Sequence, residues 1–215
     1  MAQGELEGSV PESAMARAAT LALQKIHSTL VFNHASRVFR FGVIVSARRG
    51  ICVDADLLYV GAMFYQFSLS SRARSSAHPL EITSANAARA FLETFHIAEQ
   101  ACVDVWDAIA LSVTPTVSSH KSSLARTLQY GIETDLFGMH FCEVDPRQRQ
   151  QALLAFPREA DFGNKMINAI GAALLSRPDV AYGNLYSDIL ERLDPSYRRP
   201  NFCGRILGSD WADDL

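Results

Sequence analysis

The chain has 215 residues, 48% of them apolar and 20% charged, with a formal net charge of −3 and a pI near 6.1. That is enough apolar material for one packed domain and excludes a disordered or fibrous chain. The acidic balance, with basic residues in scattered pairs such as Arg48–Arg49 and Arg198–Arg199, offers no footprint for a phosphate backbone, so no nucleic acid is expected as a partner.

No apolar run reaches the ~18 residues of a membrane-crossing helix. The first residues, "MAQGELEGSVPES", are acidic and polar, unlike the basic-then-apolar plan of a secretion signal. The expectation is a cytoplasmic protein without a membrane partner. Cys52, Cys102, Cys142 and Cys203 are far apart and form no Cys-x-x-Cys, which argues against a zinc ribbon and predicts small buried thiols.

Residues 1–11 read as a flexible tail and 12–215 as a single helical domain. "PESAMARAATLALQKIHSTL" has Pro11 and Glu12 ahead of an apolar face through Met15, Ala18, Leu21 and Leu23. "LVFNHASRVFRFGVIVSARRG" follows as a longer helix with a basic end and Gly50 as its stop. Next come Asp54 to Phe67, then "TSANAARAFLETFHI" with Thr83 or Ser84 as N-cap, then "AEQACVDVWDAIALSV", which Pro115 closes. Further helices are predicted from Ser118 to Ile132, Pro146 to Phe156, Phe162 to Leu175 and Val180 to Leu193, before a loop-rich tail from Pro195. No stretch alternates long enough to predict a sheet, and no internal repeat is present, so the fold class is all-α.

Polar residues interrupt several of these apolar faces. His34 lies between Phe32 and Val38, Asp135 is flanked by Leu136 and Phe137, and Tyr65 and Gln66 end the third helix. Singly, each has an ordinary explanation as a hydrogen-bonded core residue or a helix cap. Phe64 and Trp106, with Phe32, Phe67 and Leu69, are near enough in sequence to line an apolar pocket. Such aromatics also serve as plain core.

Five segments carry a resemblance. "FNHASRVFRFG" resembles a family pattern NHSxRVFxxG, and "DADLLYVGAMFYQFSLSSR" resembles DPELLYxAALLHDLGLT. "EITSANAARAFL" is similar to EVDGADAARxFL, "VWDAIALSVTP" to VWxAIALHTTP, and "GIETDLFGM" to GVxxDVFGx. All belong to the cyanamide-hydratase-like branch of the HD-domain superfamily, and the likeness runs in order from about residue 12 to residue 207. It implies an HD-type helical bundle.

In that family a divalent metal is held by an early His, the adjacent His-Asp pair and a later Asp. The matching positions here are His34, Tyr65, Gln66 and Asp135; Ser112 stands where a further His lies near the site. Thr83 and Asn86 replace aspartates, and Glu81 remains. A phenol and a carboxamide are poor ligands for first-row metals, so the resemblance, with these departures, implies no metal and no other cofactor.

The expectation is a metal-independent acid–base enzyme of isomerase, lyase, hydratase or cyclase type, acting on a small organic substrate, as in specialised metabolism. Asp135 would bond one nitrogen of His34 and leave the other facing the cavity as the base, Tyr65 would serve a developing oxyanion, and Gln66, Ser112 and Glu81 would position the substrate. Exchanging Asp135 for Asn is expected to leave the fold intact. The different-class alternative is an inactive relative that binds a small molecule or regulates. Homo-oligomerisation stays open.

Overall fold

The fold is seen in a computed structural model that describes residues 9–73, 76–181 and 183–209. Eleven α-helices and no strand occur among the described residues: α1 (Ala14–Gln24), α2 (Thr29–Arg48), α3 (Ala55–Phe64), α4 (Leu80–Glu93), α5 (Glu99–Ala110), α6 (Pro115–Ser118), α7 (Ser123–Ile132), α8 (Pro146–Ala155), α9 (Phe162–Leu174), α10 (Tyr186–Leu193) and α11 (Phe202–Leu207). The all-α expectation holds. No helix among the described residues is long and apolar enough to cross a membrane.

Starts follow local chemistry. The hydroxyls of Ser13, Ser28 and Ser122 accept backbone N–H bonds at the starts of α1, α2 and α7, Asp54 does so for α3, and Asp145 forms a capping box with Gln148 for α8. The start of α4 differs from the expected Thr83 or Ser84 cap. It begins at Leu80 behind Pro79, because both hydroxyls have tertiary work: Thr83 pairs with Ser76, and Ser84 accepts from the Ser68 N–H. The helix expected from Ser118 splits into α6 and α7 at the Ser122 cap. The one expected from Asp54 to Phe67 ends at Phe64, and its last residues form a separate 3₁₀ turn, Phe67–Leu69.

The expected tail at 1–11 lies outside the described residues for 1–8, yet Val10 packs against the main core. At the other end the loop-rich tail contains α11, and 210–215 are outside the described residues. Of the four thiols only Cys102 is buried; Cys52, Cys142 and Cys203 are exposed, since they sit on connections and short helices that run over the surface.

The main core gathers faces of α1, α2, α3, α4, α5 and α7, including Val38, Phe39, Leu58, Met63, Leu92, Ile109 and Leu128. A second cluster joins Leu80 and Val113 to Ile170 and Leu174 of α9 and Tyr186 and Leu190 of α10. Between these clusters lies the region that positions the polar residues.

The packing of α2 on α7 sets the register. A Cβ on Gly42 would lie 2.7 Å from the Thr127 carbonyl oxygen, and one on Gly131 would run into the Val38 carbonyl. The two helices run antiparallel, so each four-residue step forward along α7 lands four residues back along α2. Thr127 meets Gly42, Gly131 meets Val38, and the next step brings Asp135 to His34.

Replacing Gly131 with Ala should therefore force the helices apart and lower the unfolding free energy by about 1–3 kcal/mol. Gly163→Ala, where the added carbon meets nothing within 4 Å, should be neutral or mildly stabilising. Denaturant unfolding of the two variants beside the parent is the measurement; an unchanged midpoint for Gly131→Ala would contradict the close crossing.

Candidate functional site

His34 and Asp135 meet at the end of this register. Past Ile132 the backbone widens into a π-helical turn, Glu133–Phe137, which Gly138 closes in the left-handed region at φ 67°. The turn aims the Asp135 carboxylate at α2. His34 Nδ1 lies 2.6 Å from Asp135 Oδ2. Arg37, one turn further along α2, donates from Nε to Oδ1 at 2.7 Å and from Nη2 to Oδ2 at 2.9 Å.

The Arg37 side chain is wholly enclosed. Its Nη1 donates to the carbonyls of Phe156 and Pro157 at 3.0 and 2.9 Å. Arg158 donates to the Asp135 backbone carbonyl at 2.5 Å. Both guanidinium groups rest on the Phe162 ring, at 5.0 Å for Arg37 and 3.9 Å for Arg158. Asp161, in the left-handed region at φ 58°, turns the chain so that Phe162 enters there at the start of α9.

Burial by itself would raise the Asp135 pKa, but the hydrogen bonds from His34 and Arg37 and their charges outweigh it and hold the carboxyl down at about 2. His34 is shifted the opposite way from a typical salt-bridged histidine. Its burial lowers the pKa, and the positive charges of Arg37 and Arg158 add to that against the pull of Asp135. The imidazole is neutral, with its Nδ1 proton on Asp135 and Nε2 left as an acceptor.

That acceptor meets the hydroxyl of Tyr65. Burial raises the Tyr65 pKa well above the usual value, with a further rise from Tyr186 and Asp135, so the phenol keeps its proton and donates it to Nε2. The result is one hydrogen-bonded line from Arg37 through Asp135 and His34 to Tyr65.

Tyr65 is also a wall of a cavity of about 410 Å³. Gln66, Ser112 and Gln129 add polar groups to that wall, while Ile132, Leu136, Phe162, Met166, Ile167 and Ile170 supply most of the apolar surface. Gln129 is held by a bond to Glu133 at 3.0 Å and one from Ser118 at 3.3 Å. The volume and mix of lining are those of a small-molecule site.

The structure thus brings His34, Asp135, Tyr65, Gln66 and Ser112 to one place. Three expected residues stand apart from the cavity surface. Phe64 stacks with Phe67 and Phe91 in the main core. Trp106 packs against the edge of the main core and gives its indole N–H to Asn86 at 2.8 Å. Glu81 lies behind Tyr186, taking a bond from Asn184 at 3.1 Å. His34 also differs from expectation: its second nitrogen faces Tyr65 instead of open space.

Sequence reasoning missed Arg37, Arg158 and the whole contribution of α9 and α10. Arg37 left a readable signal, a cation one turn from His34 on a helix face otherwise apolar. Phe162 and Tyr186 left none, since they look like ordinary amphipathic residues. The enclosed Arg37 charge also bears on Asp135→Asn: the exchange would strand it, so a loss of stability is expected where the sequence alone suggested an intact fold.

No protein-family model matches the chain, and a search of curated proteins returns no match.

The residues present do not fit the divalent metal that the resemblance would bring. His34 and Asp135 are turned on each other, both carboxylate oxygens accept from Arg37, and positions 65, 66 and 112 add only a phenol, an amide and a hydroxyl. Among the described residues no three His, Cys, Asp or Glu side chains converge as ligands.

Purified protein should accordingly carry iron, zinc or manganese far below one equivalent per chain after chelator dialysis, as read by elemental analysis. Tyr65→His with Gln66→Asp should raise that content. Stoichiometric metal in the parent would overturn this reading of the donors.

The two shifted pKa values also fix how stability depends on pH. Unfolded His takes up a proton below 6.5 while folded His34 stays neutral, and unfolded Asp takes one up near 3.8 while folded Asp135 stays ionised to about 2. Both contribute stability at pH 7; the His34 share erodes below pH 6.5 and the Asp135 share between about pH 4 and 2. Asp135→Asn should lose about 3–5 kcal/mol at pH 7 and flatten the acid end of the curve. Denaturant titrations across pH 3–7 check both points.

Proposed function

We propose that this chain is an HD-type protein of the cyanamide-hydratase-like kind whose metal-binding pair has become Tyr65 and Gln66, and that it is a metal-independent acid–base enzyme acting on a small organic molecule. The observation that carries this reading is the double position of Tyr65, at once the wall of the cavity and the end of the line from Arg37, Asp135 and His34.

The chemistry follows from the protonation states. A substrate X–H placed against the phenolic oxygen gives its proton to that oxygen as the phenol proton moves to His34 Nε2. The electron pair of the broken X–H bond stays on the substrate. The imidazolium so formed is held against the Asp135 carboxylate, which fixes the ring and stabilises its charge, as in other His–Asp pairs. Arg37 keeps Asp135 ionised and aimed. Return of the proton to a different substrate atom is an isomerisation, loss of a neighbouring group is an elimination, and the reverse is an addition. Gln66 and Ser112 orient the substrate beside Tyr65.

A second reading has one observation in its favour. His34 is fully enclosed, and only Tyr65 of the line reaches the cavity. On that reading the line is structural and the cavity belongs to a binding or regulatory protein.

Deuterium exchange separates the two whatever the natural substrate is. Small enolisable ketones incubated with the protein in D₂O should gain deuterium faster than with buffer, as read by mass. Tyr65→Phe and His34→Gln should each lower that rate by about 10–1000-fold with little change in ligand affinity, and the double variant should be hardly worse than the poorer single one. Ketones that bind without any exchange above buffer would favour the binding protein; full exchange in Tyr65→Phe would sink the acid–base reading.

A further inference from the structure

Tyr186 lines the cavity from the first turn of α10, across from the chemistry just described. Tyr65 and Tyr186 line the same cavity. They are not equivalent. The Tyr65 proton is committed to His34, whereas Tyr186 has no imidazole behind it. Behind it lies the carboxyl of Glu81, one of whose oxygens is buried without a partner. Burial and the Glu81 charge both push the Tyr186 pKa above its usual value, so Tyr186 is a proton donor to the cavity and not a phenolate.

The backbone that carries it is anchored. The Tyr186 N–H donates to Asn184 Oδ1 at 2.9 Å, the Asn184 amide donates to Glu81 Oε1 at 3.1 Å, and the Ser187 hydroxyl donates to the Asn184 and Ala181 carbonyls. A phenol on an apolar cavity wall selects for an acceptor on the ligand.

Among the described residues the cavity also carries no countercharge for an anion. No Lys, Arg or His is among its lining residues. Arg37 and Arg158 are turned onto Asp135 and the Phe162 ring. Asp188 at the rim is paired with Arg199 at 2.8 Å, so it is not an open receptor for a cation either. An ion entering such a site loses its hydration without gaining a countercharge.

We infer that the cavity takes an uncharged, mostly hydrocarbon molecule bearing a carbonyl-type hydrogen-bond acceptor, and that Tyr186 is the residue that receives this acceptor. The inference rests on the cavity being the ligand site of the proposed function. It divides the labour in that site: Tyr65 takes the proton, and Tyr186 donates to the oxygen on which charge develops as the proton leaves.

Calorimetry at pH 7 with matched probes tests it: cyclohexyl methyl ketone and acetophenone as neutral acceptors, cyclohexanecarboxylate and benzoate as anions, and cyclohexylammonium as a cation. The neutral pair should bind at least ~10-fold more tightly than either charged class. Tyr186→Phe should weaken ketone binding by about 5–20-fold, a single lost hydrogen bond, while Tyr65→Phe leaves it within about 2-fold. Ile167→Lys, which adds a cation to the lining, should gain carboxylate binding. Equal or tighter binding of an anion or the cation by the parent, unchanged ketone affinity in Tyr186→Phe, or failure of every neutral probe to bind would overturn the inference. Neutral binding that depends on Tyr186 but shows no deuterium exchange would defeat the acid–base reading and leave this one standing.

Discussion

The enclosed ion pair between Arg37 and Asp135 is the constraint around which the rest of the site is arranged. A guanidinium and a carboxylate out of water are costly unless their hydrogen-bonding capacity is met, and here it is met by parts of the chain far apart in sequence. Arg37 ties α2 to the π-helical turn after α7 and to the carbonyls of Phe156 and Pro157. The Phe162 ring beneath both guanidinium groups brings in α9. No one of these segments can shift without unpairing a buried charge. The pair gives α2, α7 and α9 a single relative placement, more by penalising alternatives than by net stabilisation.

That placement determines the chemistry open to His34. With Asp135 kept ionised by Arg37, the imidazole has a fixed orientation; enclosed among cations, it is neutral and offers Nε2 to Tyr65. The same two residues that resemble half of a metal site are here satisfied by protein groups. Proton transfer of the proposed kind would therefore depend on the line of side chains itself, with the phenol on the cavity wall as its outlet. In the proposed function, chemistry and selection would come from different parts of the molecule: the ends of α2, α3 and α7 carry the hydrogen-bonded line, while α9 and α10 bring Phe162, Met166, Ile170 and Tyr186 to the cavity.

The helices were largely legible. Ser28 and Asp54 announce helix starts because a short polar side chain satisfies a backbone N–H wherever the neighbouring residues are helical. Thr83 and Ser84 misled for the same reason: their hydroxyls are equally good partners for distant groups, and tertiary contacts claimed them. Ser122 went unread as a cap, since the residues around it keep helical character on both sides of the break. In the site, residue types pointed to His34, Asp135, Tyr65, Gln66 and Ser112, while proximity in sequence drew in Phe64 and Trp106, whose rings pack with the main core and do not line the cavity.

What the sequence by itself determined was the set of amphipathic helices, their approximate limits, and a handful of polar residues out of place on apolar faces. Those are properties of spacing at i, i+3 and i+4, which a linear chain displays. Only the tertiary structure decided that Arg37 would be the partner of Asp135, that Glu81 would stand behind Tyr186, and that the second nitrogen of His34 would face a phenol and not the cavity. Each depends on the register between helices, which two close approaches at Gly42 and Gly131 set across about 90 residues of chain. Backbone proximity of that kind leaves no periodic trace, because a glycine in a helix reads the same whether it faces solvent or another helix's carbonyl.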